Sequence, residues 1–211
     1  MKKLLFLFVF ALIVSCKKDD SPLVHEPPVI GLLETFLATN PSVEINKFNN
    51  WIPNETAYWG YLFTPTKDIK LTHIGGRIAE NGVFRIELYT MSPDHFSMSI
   101  KDTLLIDSIT ITDISKFQFK IIASGIILKA DQRYEIRYLD KSSNSIWSAG
   151  RGNPNDVPGF NFPVKTGPVV LEASYSSKNY SKNGVWVPYF EQISGYGIQY
   201  GLPDFVYEPL N

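Results

Sequence analysis

Trp147, Arg151, Asn153, Asn155, Asp156, Trp186 and Tyr189 together supply the side-chain types needed to hold an amphipathic ligand. An indole or phenol ring stacks on the apolar face of a sugar while Asn, Asp and Arg exchange hydrogen bonds with its hydroxyls. Arg151, Asn153, Asn155 and Asp156 fall inside Ser148–Gly159, a polar stretch rich in Gly and Pro. Long loops on a rigid scaffold often carry function. Trp147 and Trp186 stand out because loop-forming residues surround them. Trp51 and Trp59 precede the first clear strand and are expected to pack. Tyr175, Tyr180 and Phe190 add rings whose ordinary use is to fill or cap a core.

Other chemistries find less support. Glycoside hydrolysis needs two carboxyl groups about 5 to 9.5 Å apart. Asp94, Asp107, Asp131, Asp140, Asp156 and Glu191 are available, but their spacing pairs none of them, and most suit turns or solvent faces. His25, His73 and His95 are isolated from one another, so neither a zinc site nor a Ser-His-Asp triad has a supporting pattern. Asn153, Asn155 and Asp156 could offer oxygens to calcium, without the loop signature of an EF-hand. No phosphate-cradling glycine loop or dinucleotide fingerprint is present. The expected protein is therefore not an enzyme and uses no cofactor or metal.

The elements that would carry such a site begin with an address. Lys2 and Lys3 precede an unbroken apolar run from Leu4 to Val14. That run is too short for a bilayer-spanning helix, which needs about 20 residues, and suits a signal peptide. It ends in Ile13-Val14-Ser15-Cys16, which resembles the bacterial lipobox. Cys16 is the only cysteine among 211 residues, so it has no intramolecular disulfide partner. Lipidation of its thiol, with further acylation such as palmitate on its amine, would give a stable anchor, because one chain alone holds a protein only marginally. Lys17-Lys18-Asp19-Asp20 resembles the signal that sends lipoproteins of the Bacteroidetes to the outer face of the outer membrane. Read instead as a solvated stub, it leaves the protein on the periplasmic face.

Residues 1–15 are thus expected to be a signal peptide, 16–30 a lipidated cysteine and Pro-containing tether, and 31–211 a single domain. Loss of Lys2 and Lys3 leaves 18 basic against 21 acidic residues, with no basic cluster for nucleic acid. Aromatics make up 14% of the chain beside 14 Gly and 14 Pro, a composition that suits many turns and strands. Residues 31–39 fit one or two helical turns or a first strand, and strand is the reading taken here. From residue 58 apolar residues alternate with period two between turn signals. Tyr61–Phe63, Ile69–Ile78, Phe84–Leu88, 103–112, 116–122 and 132–139 read as strands. Gly75-Gly76 reads as a bulge or bend, and Asn81-Gly82 as a tight turn. Phe84, Ile86 and Leu88 would face the core, with Arg85 and Glu87 in water. Without an amphipathic helix of ten or more residues between them, these strands predict an all-β fold: an antiparallel, jelly-roll-like sandwich with little helix.

Gly60-Tyr61-Leu62-Phe63-Thr64-Pro65, the Leu71–Ile78 strand, Asn81–Thr90, Leu104–Thr112 and Gly125–Tyr138 resemble a bacterial family of β-sandwich domains of unknown function. Those domains occur in extracellular proteins, often beside carbohydrate-active modules. The resemblance covers roughly residues 58–140, with Tyr200–Tyr207 as a further matching strand, and implies fold more than activity. The stretch 141–190 departs from it. Three functions follow as expectations: a surface module binding an extracellular glycan, an accessory lipoprotein docking a partner protein, and, least supported, a hydrolase. The anchor itself is directly testable. Cys16→Ser is expected to abolish incorporation of radiolabelled palmitate and to move the protein out of the membrane fraction, whereas retention at the wild-type level would exclude Cys16 as the lipid site.

Overall fold

The computed structural model describes residues 29–49, 57–92, 100–140, 145–150, 162–182, 185–192 and 199–210. In chain order these hold α1 (Leu32–Thr39), β1 (Ile45–Asn49), β2 (Ala57–Pro65), β3 (Ile69–Arg77), β4 (Gly82–Met91), β5 (Ile100–Ile111) and β6 (Gln118–Leu128). There follow β7 (Tyr134–Asp140), β8 (Ser145–Ala149), β9 (Val164–Thr166), β10 (Val169–Lys182), β11 (Val185–Gln192), β12 (Gln199–Tyr200) and β13 (Leu202–Pro209). No helix among the described residues is long and apolar enough to cross a membrane.

The described strands form one large antiparallel sheet in the order β11-β10-β2-β7-β4-β5, with β9 beside β10, and two three-stranded sheets, β13-β3-β6 and β1-β8-β12. Alternation gives the large sheet an apolar inner face: Trp59, Tyr61 and Phe63 of β2, Tyr134, Ile136 and Tyr138 of β7, and Ile86 and Leu88 of β4. These residues share one buried cluster with Ile69, Leu71 and Ile74 of β3, Ile146 of β8, and Leu202 and Phe205 of β13. Phe63 lies 5.6 Å from the ring of Tyr134 in its own sheet and 4.8 Å from Phe205 in the facing one, so aromatic rings join the two layers. The fold is the expected all-β antiparallel sandwich. Trp59, at 2% exposure, is a packing residue as expected.

Residues 31–39 are a correction to the strand reading. Leu32–Thr39 is an α-helix burying Leu32, Leu33, Phe36 and Leu37, a one-sided spacing that suits a helical face. Its first turn is capped from the far end of the chain. The Asp204 carboxylate accepts the Leu33 N–H at 2.8 Å and the Glu34 N–H at 2.9 Å, and Glu34 accepts the Gly31 N–H at 3.3 Å. A side chain at position 31 would collide with Asp204, which is why Gly stands there. Local sequence does not contain that partner.

The stretch 141–190, which departs from the family resemblance, contributes β8, β9, β10 and most of β11, while residues 151–159 of the expected loop lie outside the described residues. Its longest strand, β10, has 14 residues and pairs with β2 inside the large sheet. The Gly75-Gly76 pair is not the bulge. Both glycines lie on β3 between β13 and β6, where a Cβ at Gly75 would strike the Gln118 carbonyl and one at Gly76 the Leu202 carbonyl. The irregularity lies at Thr72, opposite which β6 inserts residues 122–125. The Asn81-Gly82 turn does precede a strand, and it carries the chain from the β3 sheet into the large one. Bulges also interrupt β5 against β4. The outer strands β5 and β6 are thus both irregular, a feature that discourages strand addition by another chain even though Ile106, Ile121 and Ile127 are exposed there.

Asp204 makes the stability of this arrangement depend on pH. Complete burial pushes its carboxyl up to about 7, against the pull of three backbone N–H bonds from Leu33, Glu34 and Phe205. A carboxyl that binds its proton more tightly when folded contributes most when protonated, and the contribution declines as pH rises from the unfolded value towards the folded one. The urea midpoint is expected to fall between about pH 4 and about pH 7. Asp204→Asn should make that slope shallower, leaving the part contributed by Glu135, whose carboxyl is also raised to about 7; an unchanged slope would assign it elsewhere.

Candidate functional site

The outer face of the large sheet is where alternation places residues in water, and there the structure departs most from expectation. Glu87 and Glu135 have no exposed surface, and Arg137 is 7% exposed. Strand register explains the association. Arg137 of β7 stands opposite Glu87 of β4, and Glu135 stands opposite Tyr89, so opposite charges meet across the central pair of strands. On the other side Arg137 faces Gly60 of β2, which has no side chain to compete for the space.

The hydrogen bonds form one network. Arg137 Nε donates to Glu87 Oε2 at 2.7 Å, and Arg137 Nη1 donates to Glu135 Oε1 at 3.2 Å. The Tyr89 hydroxyl donates to Glu87 Oε2 at 2.7 Å. Arg85 Nε reaches Glu87 Oε1 at 2.5 Å. The Arg137 guanidinium also lies 4.1 Å from the Tyr58 ring and 4.6 Å from the Tyr89 ring. Burial pushes Glu135 up to about 7, with Arg137 opposing it, and burial together with the Glu87 hydrogen bond pushes Tyr89 up to about 12. Burial works against the charge of Arg137, yet Glu135 and Glu87 hold it above its ordinary value. Glu135 Oε2 and Glu87 Oε1 are buried with no hydrogen-bond partner among the described residues, so Arg85 joins the cluster by ion pairing alone. Further along the same sheet, Arg133 pairs with Glu172 at 2.6 Å, and Thr64 donates to Glu172.

Arg85 carries this network to the surface. Its side chain is 46% exposed and lines a pocket of about 440 Å³. Ser108 of β5 and Leu139 of β7 stand opposite Arg85 on its two neighbouring strands, and both line the pocket. Glu80 and Asn81 of the β3–β4 turn line it too, together with Gly82, Val83 and Phe84 of β4. The volume lies in the range of small-molecule sites, about 300 to 1,000 Å³, and the mixture of apolar wall and few polar groups is what such sites use for orientation.

Of the residues singled out in the sequence, the described ones fall on two sheets. Trp147 lies on β8, half-buried against the core cluster. Its ring already carries the Arg77 guanidinium at 4.2 Å and the Lys47 ammonium at 5.5 Å. Trp186 and Tyr189 lie on β11, opposite Ser181 and Lys178 of β10, and so belong to a different sheet from Trp147. Arg151, Asn153, Asn155 and Asp156 lie outside the described residues, as do Cys16, Trp51, His25, His95 and Asp94. Asp107 is engaged by Lys120 at 2.7 Å, and Asp131 is an exposed turn residue with φ 58°. His73 is in β3, as its strand reading required.

Glu87, expected in water, is instead the acceptor at the centre of the cluster. The overlooked signal was complementary charge at period two: Arg85 and Glu87 on one strand, Arg133, Glu135 and Arg137 on another. Arg137→Met leaves two buried carboxyl groups without their guanidinium and is expected to cost about 3 to 5 kcal/mol in urea unfolding. Arg85→Met removes a half-exposed partner and should cost under about 1 kcal/mol. Equal costs would show that Arg137 does not hold the network together.

No family model and no curated protein sequence matches the chain, so the use of the pocket is inferred from its own residues.

Proposed function

We propose that this protein is a non-catalytic binding lipoprotein: a β-sandwich anchored through lipid on Cys16 to the outer membrane, facing the cell exterior, that takes an extracellular glycan in the pocket around Arg85. The address is supported by the apolar run Leu4–Val14, the Ile13–Cys16 lipobox resemblance and the Lys18-Asp19-Asp20 segment. The single observation that carries the binding reading is the pocket itself, where Arg85, Ser108, Asn81 and Glu80 offer hydrogen-bonding groups beside the apolar Val83 and Leu139. A sugar ring presents the same mixture, hydroxyls around its rim and C–H groups on its faces. Register breaks in the outer strands β5 and β6 disfavour strand-addition docking of a partner on those two edges. The lining favours it over hydrolysis, since Glu80 is the one carboxyl side chain of the pocket and glycoside hydrolysis needs two.

A glycan array probed with the full-length protein in detergent micelles tests this directly. Specific binding is expected, and Ser108→Trp, which fills the pocket from an exposed strand position, should abolish it without shifting the urea midpoint. Binding lost in Trp147→Ala but retained in Ser108→Trp would move the site to β8. An array on which the folded protein binds nothing overturns the glycan reading.

A further inference from the structure

We propose that the ligand of this pocket is a sugar acid, a hydroxylated ring bearing one carboxylate, gripped by the terminal nitrogens of Arg85. The proposal rests on the glycan-binding reading of the same pocket and narrows it. Arg85 Nε is tied to Glu87 Oε1 at 2.5 Å. The other oxygen of Glu87 accepts from both Arg137 Nε and the Tyr89 hydroxyl, each at 2.7 Å. Glu87 is fully buried and hydrogen-bonded through Oε2, while its Oε1 makes no hydrogen bond and meets Arg85 Nε as an ion pair only. Among the described residues Arg85 has no ion-pair partner besides Glu87. Its Nη1 and Nη2 groups are therefore left for a ligand, on a side chain that keeps 46% of its exposure.

The free end of the Arg85 guanidinium presents two parallel N–H donors, the geometry that matches a carboxylate. Because the fork is planar and rigid in itself, less entropy is lost for each hydrogen bond it forms with the ligand. The rest of the lining limits what else the ligand can carry. Arg85 is the one basic side chain of the pocket and Glu80 the one acidic side chain. A single negative group is matched at Arg85, while a second, or a phosphate carrying about −1.5 to −2 charge, would face Glu80 uncompensated. Uncharged hydroxyls suit Glu80, Asn81 and Ser108, whose oxygens accept hydrogen bonds. Val83 and Leu139 then cover the C–H face of the ring.

Calorimetric titration of the full-length protein in detergent micelles separates the possibilities, using glucuronate, galacturonate, their neutral parents glucose and galactose, and glucose 6-phosphate. One of the uronates is expected to bind about tenfold more tightly than its neutral parent and than the sugar phosphate. Arg85→Lys keeps the charge but loses the planar fork, and should remove most of that advantage. Ser108→Trp should abolish binding of every sugar while the protein stays folded. Equal affinity for a uronate and its parent, or a tighter sugar phosphate, overturns the sugar-acid assignment and leaves glycan binding intact. Absence of binding by any of the sugars, or full binding by Ser108→Trp, overturns both readings of this pocket.

Discussion

Arg137 lets the central strands of the large sheet be buried on both faces. A sheet packed on one side commonly leaves the other to solvent, and polar residues then alternate outward at little cost. Here β4 and β7 carry Glu87 and Glu135 on the outer face, yet neither has accessible surface. Removing two carboxyl groups from water is expensive unless charge and hydrogen bonds replace the lost hydration. One guanidinium bonds both carboxyl groups and stacks on the rings of Tyr58 and Tyr89. Glu135, raised to about 7, carries its charge with difficulty, which reduces what Arg137 must balance. The pocket borders the same cluster, since Glu87, held by Arg137 and Tyr89, meets Arg85 as an ion pair.

The second constraint is closure of the chain on itself without a disulfide. Cys16 is the only cysteine, so distant segments must be tied by packing and hydrogen bonds. Asp204 in the last strand caps the first described helix. Asp68 plays a comparable part, accepting the Ala130 N–H at 2.9 Å and the Lys129 ammonium at 2.7 Å while its carbonyl accepts the Leu210 N–H at 3.2 Å. Gly75 and Gly76 allow β3 to run tightly between β13 and β6. The interior Phe63–Phe205 contact joins early and late strands in the same way. Long-range closure of this kind is costly in chain entropy before its contacts form, and the buried aromatic cluster supplies the compensation.

Much of the sandwich was legible because alternation is a local consequence of strand geometry. Tyr134, Ile136 and Tyr138 declare an inner face whatever they pack against, and the structure buries all of them. Such alternation says which residues share a face but not what covers the opposite one. Alternation alone therefore places Glu87 in water, because its partner Arg137 lies 50 residues away in sequence. The candidate site was less legible than the fold for the same reason. Ser108, Arg85 and Leu139 meet only because β5, β4 and β7 are neighbours in one sheet. The aromatic residues near the Gly- and Pro-rich stretch drew attention by composition, whereas Trp147 and Trp186 lie in separate sheets.

The sequence by itself determined the all-β class, the strands from 57 to 140 and the inward positions, because each follows from side chains two residues apart on an extended backbone. It also contains the residues on which the proposed lipid address rests. Tertiary structure alone decided that Leu32–Thr39 is a helix, since its cap comes from Asp204. It likewise decided that residues 169–182 enter the large sheet beside β2, and that Glu87, Glu135 and Arg137 form one buried network ending at Arg85. In each case the determining partner is remote in sequence, and only strand order and register bring it within the few ångströms over which a hydrogen bond or an ion pair acts.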